Sequence, residues 1–158
     1  AISNNITGSG SLNKQNTGTL TLSGTNSYTG ATTISGGILE LASAGALSGS
    51  SAVTIGSGAS LQANSAVAMA ISNNITGSGS LNKQNTGKLT LSGTNSYTGA
   101  TSINAGTLEI QVSSALPASS AVTIASGATL SLLTSQTLGN LTGVAGSSLI
   151  IGGDLTLN

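Results

Sequence analysis

Histidine, cysteine, arginine, tryptophan and phenylalanine are all missing from this sequence of 158 residues. Without His or Cys, the usual zinc and haem sites cannot be built. Proton transfer through an imidazole is excluded for the same reason. Charge is scarce as well: three Lys and three acidic residues give 4% charged positions and a net charge of zero. So few cations cannot neutralise a run of phosphates, which excludes nucleic acid as a partner. No apolar run approaches the roughly 18 residues of a membrane helix. With two Tyr as the only aromatics, a membrane barrel would lack its aromatic girdles, so no membrane insertion of this segment is expected.

What the sequence does have is Ser (28), Thr (22), Asn (14) and Gly (23), together 87 of the 158 residues. Taken alone, that composition describes a flexible linker. Yet 37% of the residues are hydrophobic, nearly all aliphatic, and they are regularly spaced, which a linker does not require. The absence of Cys fits the cytosol and many bacterial surface proteins alike. The first residues are already repeat sequence and no leader is visible, as expected of a mature segment.

Residues 1–32 recur at 70–101, with Thr19 against Lys88 as the one difference. Further on, SAVTIGSGASLQ (51–62) answers to SAVTIASGATLS (120–131), and a worn third copy begins at Leu138. The expected organisation is one solenoid domain over 1–158, with internal repeats 1–69, 70–137 and a partial 138–158. Inside each repeat, an Ile or Leu, a short Gly-bearing turn and a closing Leu recur. The closing residues Leu12, Leu39, Leu61, Leu81, Leu108, Leu130 and Leu149 step by 27, 22, 20, 27, 22 and 19. This spacing predicts three coils in each full repeat, one long and two short.

Val53-Thr54-Ile55 and Leu20-Thr21-Leu22 alternate apolar and polar, the signature of a strand with one buried face. Gly and Asn mark the corners, and no helical period of useful length occurs. The predicted fold is all-β: a right-handed parallel β-helix of about seven coils, each with three short strands. At the usual strand separation such a rod is about 34 Å long. The predicted core is Ile6, Leu12, Leu20, Leu22, Ile34, Leu39, Leu41, Val53, Ile55, Leu61, Met69 and Ile71. Its equivalents further along are Ile75, Leu81, Leu89, Leu91, Ile103, Leu108, Ile110, Val122, Ile124, Leu130, Leu138, Leu141, Leu149, Leu155 and Leu157. Stacking buries these rows, which a single coil cannot do for itself.

Gly10, Leu12, Lys14, Gly18, Leu20, Leu22, Gly24, Asn26, Tyr28, Gly30, Thr32, Ile34, Gly37 and Leu39 form a pattern that resembles the autotransporter-associated β-strand repeat of bacterial surface proteins. Asn16 stands where that family often has Gly, and residues 79–110 fit equally well. The resemblance implies a β-solenoid passenger, a stalk or adhesin moved through an outer-membrane barrel to the cell surface. It implies no particular activity.

Chemistry has few residues to draw on. The carboxylates are Glu40, Glu109 and Asp154. Glu40 and Glu109 share a place in the repeat, three coils apart, which predicts a separation of roughly 14 Å along the rod. Glycosidase pairs need roughly 5–9.5 Å, and no Arg or His is present to stabilise developing charge. The expectation is no catalytic, cofactor or metal site, with Glu40 a solvated rung in a ladder of Asn13, Glu40, Gln62, Asn82, Glu109, Ser131 and Ile150. Strict alternation points Lys14 and Lys83 inward. Because a buried ammonium without a carboxylate is costly, the strands are expected to end at the Asn corners and the lysines to reach solvent. Tyr28 and Tyr97 are expected to cover the corner of the long coil, with wet or turn-bonded hydroxyls. An ice-binding row of Asn5, Thr33, Thr54, Asn74, Ser102, Thr123 and Asn140 is too irregular, with Asn ladders accounting for the amides.

The first coil repeats an internal one, so neither end carries the atypical cap of a solenoid. The expected partners are a second copy stacked end to end or the continuation of a longer chain, with cell-surface glycans as candidate ligands. The expected role is a non-catalytic extracellular stalk, spacer or fibre subunit, and the expected location the bacterial surface. An adhesin or ice-binding module is the alternative, and a carbohydrate-active enzyme the third.

Overall fold

The structure, a computed structural model, describes residues 1–49 and 51–158. Short runs of Thr, Val, Ile and Leu between Gly-bearing turns give 18 strands and, among the described residues, no helix. Every strand pair is parallel. The chain winds into a β-solenoid of about seven turns with three faces.

The first face holds β2 (Thr19–Leu22), β4 (Ile38–Leu41), β6 (Ser60–Asn64), β9 (Ser80–Gln84), β11 (Thr101–Ile103), β13 (Ala121–Ile124) and β16 (Asn140–Gly143). The second holds β7 (Met69–Ile71), β10 (Lys88–Leu91), β12 (Thr107–Ile110), β14 (Thr129–Leu132) and β17 (Ser148–Ile151). On the third lie β1 (Leu12–Lys14), β3 (Thr32–Ile34), β5 (Val53–Ile55) and β8 (Ile75–Gly77), and β15 (Gln136–Leu138) pairs with β18 (Leu155–Leu157) separately. Segments outside the strands keep the ladder going. Ser27 and Thr29 donate backbone N–H groups to Ile6 and Gly8 on the second face, and Ser96 and Thr98 to Ile75 and Gly77 on the third.

The register corrects the predicted coil. Leu12 pairs with Thr32, not Leu39, and Thr32 with Val53. On the first face Leu22, Leu41, Ala63, Lys83, Ile103, Ile124 and Gly143 follow one another. By subtraction, they step by 19, 22, 20, 20, 21 and 19. There is no long coil. One full sequence repeat makes three turns and one face more, so it lands one face on. Leu20 lies on the first face and Leu89 on the second, Leu12 on the third and Leu81 on the first. Every face is lined with Leu and Ile, so a shift of one face costs nothing in core chemistry.

The interior is a continuous aliphatic column. Leu22, Ile34, Leu39, Leu41, Val53, Ile55, Leu61, Ile75, Leu81, Leu89, Leu91, Ile103, Leu108, Ile110, Leu130 and Leu138 are sealed from solvent, and Met69, Ile71, Val122 and Ile124 nearly so. Each such side chain contributes about 1.5–3 kcal/mol of burial free energy. Ile6, Leu12, Leu20, Leu141 and Leu155 are only half-buried against this core. Leu149 and Leu157 are exposed, which corrects their place in the predicted core. They lie in β17 and β18, the outermost strands of their sheets.

Tight turns hold the faces at their angles. Gly37 has φ of 65°, and a Cβ there would overlap the Gly18 carbonyl of the preceding coil. Only a residue without a side chain fits both constraints.

Candidate functional site

The three carboxylates do not assemble. Glu40 is in β4 on the first face and Glu109 in β12 on the second. They are three rungs apart along the axis, about 15 Å, and also turned onto different faces. The predicted single ladder is thus corrected. Its members divide among Asn13↔Thr33↔Thr54↔Thr76, Thr21↔Glu40↔Gln62↔Asn82↔Ser102 and Ala70↔Thr90↔Glu109↔Ser131↔Ile150. The row built on Asn5, Thr33, Thr54, Asn74, Ser102, Thr123 and Asn140 divides in the same way. Asp154 is exposed and lies between β17 and β18.

Each glutamate is occupied by structure. Glu40 accepts from Asn64 Nδ2 at 2.9 Å, Thr21 Oγ1 at 3.0 Å and Gln62 Nε2 at 2.7 Å. The Asn64 bond, with those from Thr21 and Gln62, holds its carboxyl below the ordinary value against partial burial. Glu109 pairs with Lys88 at 3.0 Å, and that contact is the first cause that lowers the Glu109 pKa, with Gln111 and Thr90 adding to it. A carboxylate with these donors is a stable anion, unsuited to giving up or taking a proton near neutrality. Among the described residues no group of three potential metal ligands occurs.

The lysines carry the largest correction. Lys14 and Lys83 are buried, 6% and 2% exposed, and do point inward. The signal that would have shown this is Asn16. At φ 61° and 60°, Asn16 and Asn85 adopt the left-handed conformation, which asparagine tolerates better than most residues. The chain then turns back around the lysine. Lys14 Nζ donates to the carbonyls of Gln15 (2.7 Å), Asn16 (2.8 Å) and, from the next coil, Gly36 (2.8 Å). Lys83 Nζ does the same with Gln84 (2.7 Å), Asn85 (2.6 Å) and Ala105 (3.1 Å). Three ammonium protons meet three acceptors, so the charge needs no carboxylate. Burial pushes the Lys83 ammonium down, and the carbonyl dipoles oppose that shift.

Tyr28 and Tyr97 are interior residues, 1% and 0% exposed, and their hydroxyls are dry. They hydrogen-bond Thr32 Oγ1 at 2.7 Å and Thr101 Oγ1 at 2.6 Å. Each threonine then meets a serine of the next coil, Ser51 or Ser120, at 3.2 Å. Burial raises the Tyr97 phenol. Neither ring offers a platform for a sugar. Sequence reasoning also missed Asn26 and Asn95, two residues before each tyrosine and therefore on the same inward side. Asn26 Oδ1 accepts from Ile6 N–H at 2.8 Å while its Nδ2 donates to the Ala46 carbonyl, tying three coils. Asn95 repeats this with Ile75 (2.8 Å) and Ala115 (2.7 Å).

Two depressions of about 280 and 290 Å³ indent the surface. The first is lined by Asn95, Ser114, Leu116, Pro117 and Thr137 among others, the second by Ser51, Ser72, Asn73 and Asn74 among others. Neither contains a charged side chain.

A family model described as passenger-associated-transport-repeat matches residues 12–41 and again 81–110. Each match opens at the rung carrying a buried lysine and closes one residue after its glutamate. No curated protein and no solved structure matches the chain.

Proposed function

From a chain that carries two passenger-associated transport repeats in one β-solenoid, we propose a non-catalytic structural role outside a bacterial cell, as a rigid spacer or stalk. The observation that carries this is the stack of turns. A parallel ladder of seven strands runs unbroken along the first face, with shorter parallel ladders on the other two, and the interior is filled mainly by aliphatic side chains. Such a rod transmits length and holds its ends apart. The last rung presents unpaired strand edges beside exposed Leu149, Ile151 and Leu157, and such edges pair with a further rung. That rung comes from the same chain in a stalk, or from a second copy in a fibre. The test is electron microscopy of the exported protein. Straight rods of constant width support the reading, and compact particles contradict it. Polysaccharide hydrolysis or lyase activity abolished by Glu40→Gln, Glu109→Gln and Asp154→Asn together would contradict the non-catalytic part.

A second reading, adhesion, is favoured by the outward file Asn13, Thr33, Thr54 and Thr76 on the third face. Thr54 and Thr76 hydroxyls lie 3.2 Å apart, in an uncharged strip suited to glycan hydroxyls. Thr54→Lys would abolish cell or glycan binding under this reading and leave the rod intact.

A further inference from the structure

We propose that Asn5, Asn74 and Asn140 are acceptors for N-linked sugar. Each opens an Asn-x-Thr tripeptide: Asn5-Ile6-Thr7, Asn74-Ile75-Thr76 and Asn140-Leu141-Thr142. That tripeptide is the acceptor pattern for sugar transfer to an Asn amide, though a weak signal alone in a chain so rich in Ser and Thr. The structure supplies the selection. All three asparagines are exposed, and among the described residues no Nδ2 of theirs donates a hydrogen bond. The asparagines whose Nδ2 is committed, Asn26, Asn64, Asn73 and Asn95, open no such tripeptide.

The bonds these residues do make survive modification. Asn5 Oδ1 accepts from Thr25 N–H at 2.8 Å, and Asn74 Oδ1 from Thr94 N–H at 2.9 Å. Each bond joins one coil to the next. In the transfer, Nδ2 attacks C1 of a sugar diphosphate ester, either nucleoside-linked or lipid-borne. The N–C1 bond forms as the C1–O bond breaks, the diphosphate leaves, and one Nδ2 proton passes to solvent. Oδ1 is untouched, so the coil-to-coil bond remains. Thr76 lies in β8, and its hydroxyl donates to the Val53 carbonyl at 3.3 Å.

The frame of the solenoid spreads the three sites. Asn5 lies between the rungs of Ile2 and Ile6, on the corner from the first face to the second. Asn74 is on the corner from the second to the third, between β7 and β8, and Asn140 opens β16 as the chain re-enters the first face. Successive sugars leave from different corners, about 15 Å apart along the axis, and do not crowd. A rod of zero net charge has little repulsion to oppose lateral association, and a bulky hydrophilic sugar at each kind of corner provides it.

This inference rests on the reading of export. The test recovers the protein from the outer surface of its producing cell, digests it with a broad-specificity protease and weighs the peptides. Peptides covering Asn5, Asn74 and Asn140 are expected to carry sugar mass. That mass is lost in Asn5→Gln, Asn74→Gln and Asn140→Gln, and equally in Thr7→Ala, Thr76→Ala and Thr142→Ala. A single fixed oligosaccharide mass identifies the lipid-borne donor, and a series of single sugars the nucleoside-linked one. Surface-recovered protein with unmodified Asn peptides, or with sugar on Ser or Thr alone, overturns the proposal and leaves the structural role standing. Unmodified protein confined to the cell interior overturns the export reading and this proposal with it.

Discussion

Residues 1–32 and 70–101 are one stretch of sequence placed twice, with Thr19 exchanged for Lys88, yet the structure sets the two copies on different faces. What lies inside is the same in both. Lys14 and Lys83 each meet three carbonyls, Tyr28 and Tyr97 each bond a threonine, and Asn26 and Asn95 each tie three coils. Outside, Asn5 and Asn74 still accept alike from Thr25 and Thr94, but the glutamates differ. Glu40 is held by the amides of Gln62 and Asn64. Their counterparts in the second repeat are Ser131 and Leu133, which offer no amide, and Glu109 is held by Lys88 instead. Inward contacts are made by the motif with its own neighbouring turns and travel with it. Outward contacts depend on whatever the next coil places alongside.

The comparison can be broken first at the lysines. Lys83→Met leaves three partly buried carbonyls without their donor, and an unsatisfied buried acceptor costs about 1–3 kcal/mol. The expected loss in chemical denaturation is about 2–4 kcal/mol. Lys14→Met is expected to lose less, because its rung lies near the end of the stack and Leu12 beside it is half-buried. A loss at Lys83 within about 0.5 kcal/mol, the range of surface substitutions, would show that the carbonyls do not depend on the ammonium.

The tyrosines come next. Tyr28→Phe and Tyr97→Phe are each expected to cost about 1 kcal/mol, and to cost the same. A clear difference between them would mean that the matching hydroxyl contacts are not equivalent.

The glutamates sharpen the outer half of the comparison. Glu109→Gln is expected to cost less than about 1 kcal/mol, and that cost to vanish in molar salt, because an exposed ion pair is screened. Glu40→Gln is expected to keep its effect in salt, since its donors are neutral. Both carboxyls have folded pKa values below the ordinary 4.5. Their contribution is complete above that value and is lost as pH falls through the depressed folded pKa. Acid titration of stability should therefore be shallower in either variant than in the parent. Equal salt sensitivity at the two sites would remove the distinction. The smallest effect is expected from Lys88→Thr, about 0.5 kcal/mol or less.

Much of this was legible in the residues. The long internal repeat, period-two alternation and Gly corners give a parallel solenoid. The turn frame was not legible, because any register that stacks Leu on Leu satisfies the pattern, and every face offers Leu and Ile. Only the pairing of Leu12 with Thr32 separates the registers, and Thr32 reads as too polar for an interior position until the Tyr28 hydroxyl is placed against it. The lysines escape for a related reason. Sequence displays a missing carboxylate but not the carbonyls that an αL asparagine swings into its place.

The frame is tested most directly by cross-linking, which a chain without cysteine allows. Asn13 and Thr33 are outward neighbours on adjacent rungs of the third face, within the roughly 4.4–6.8 Å Cα separation that a disulfide spans. Glu40 is on another face, although it is the neighbour that the spacing of closing leucines assigns to Asn13. The Asn13→Cys, Thr33→Cys pair should oxidise to a disulfide in the folded monomer, and the Asn13→Cys, Glu40→Cys pair should not. A disulfide in the second pair and none in the first would restore the long coil and contradict the account.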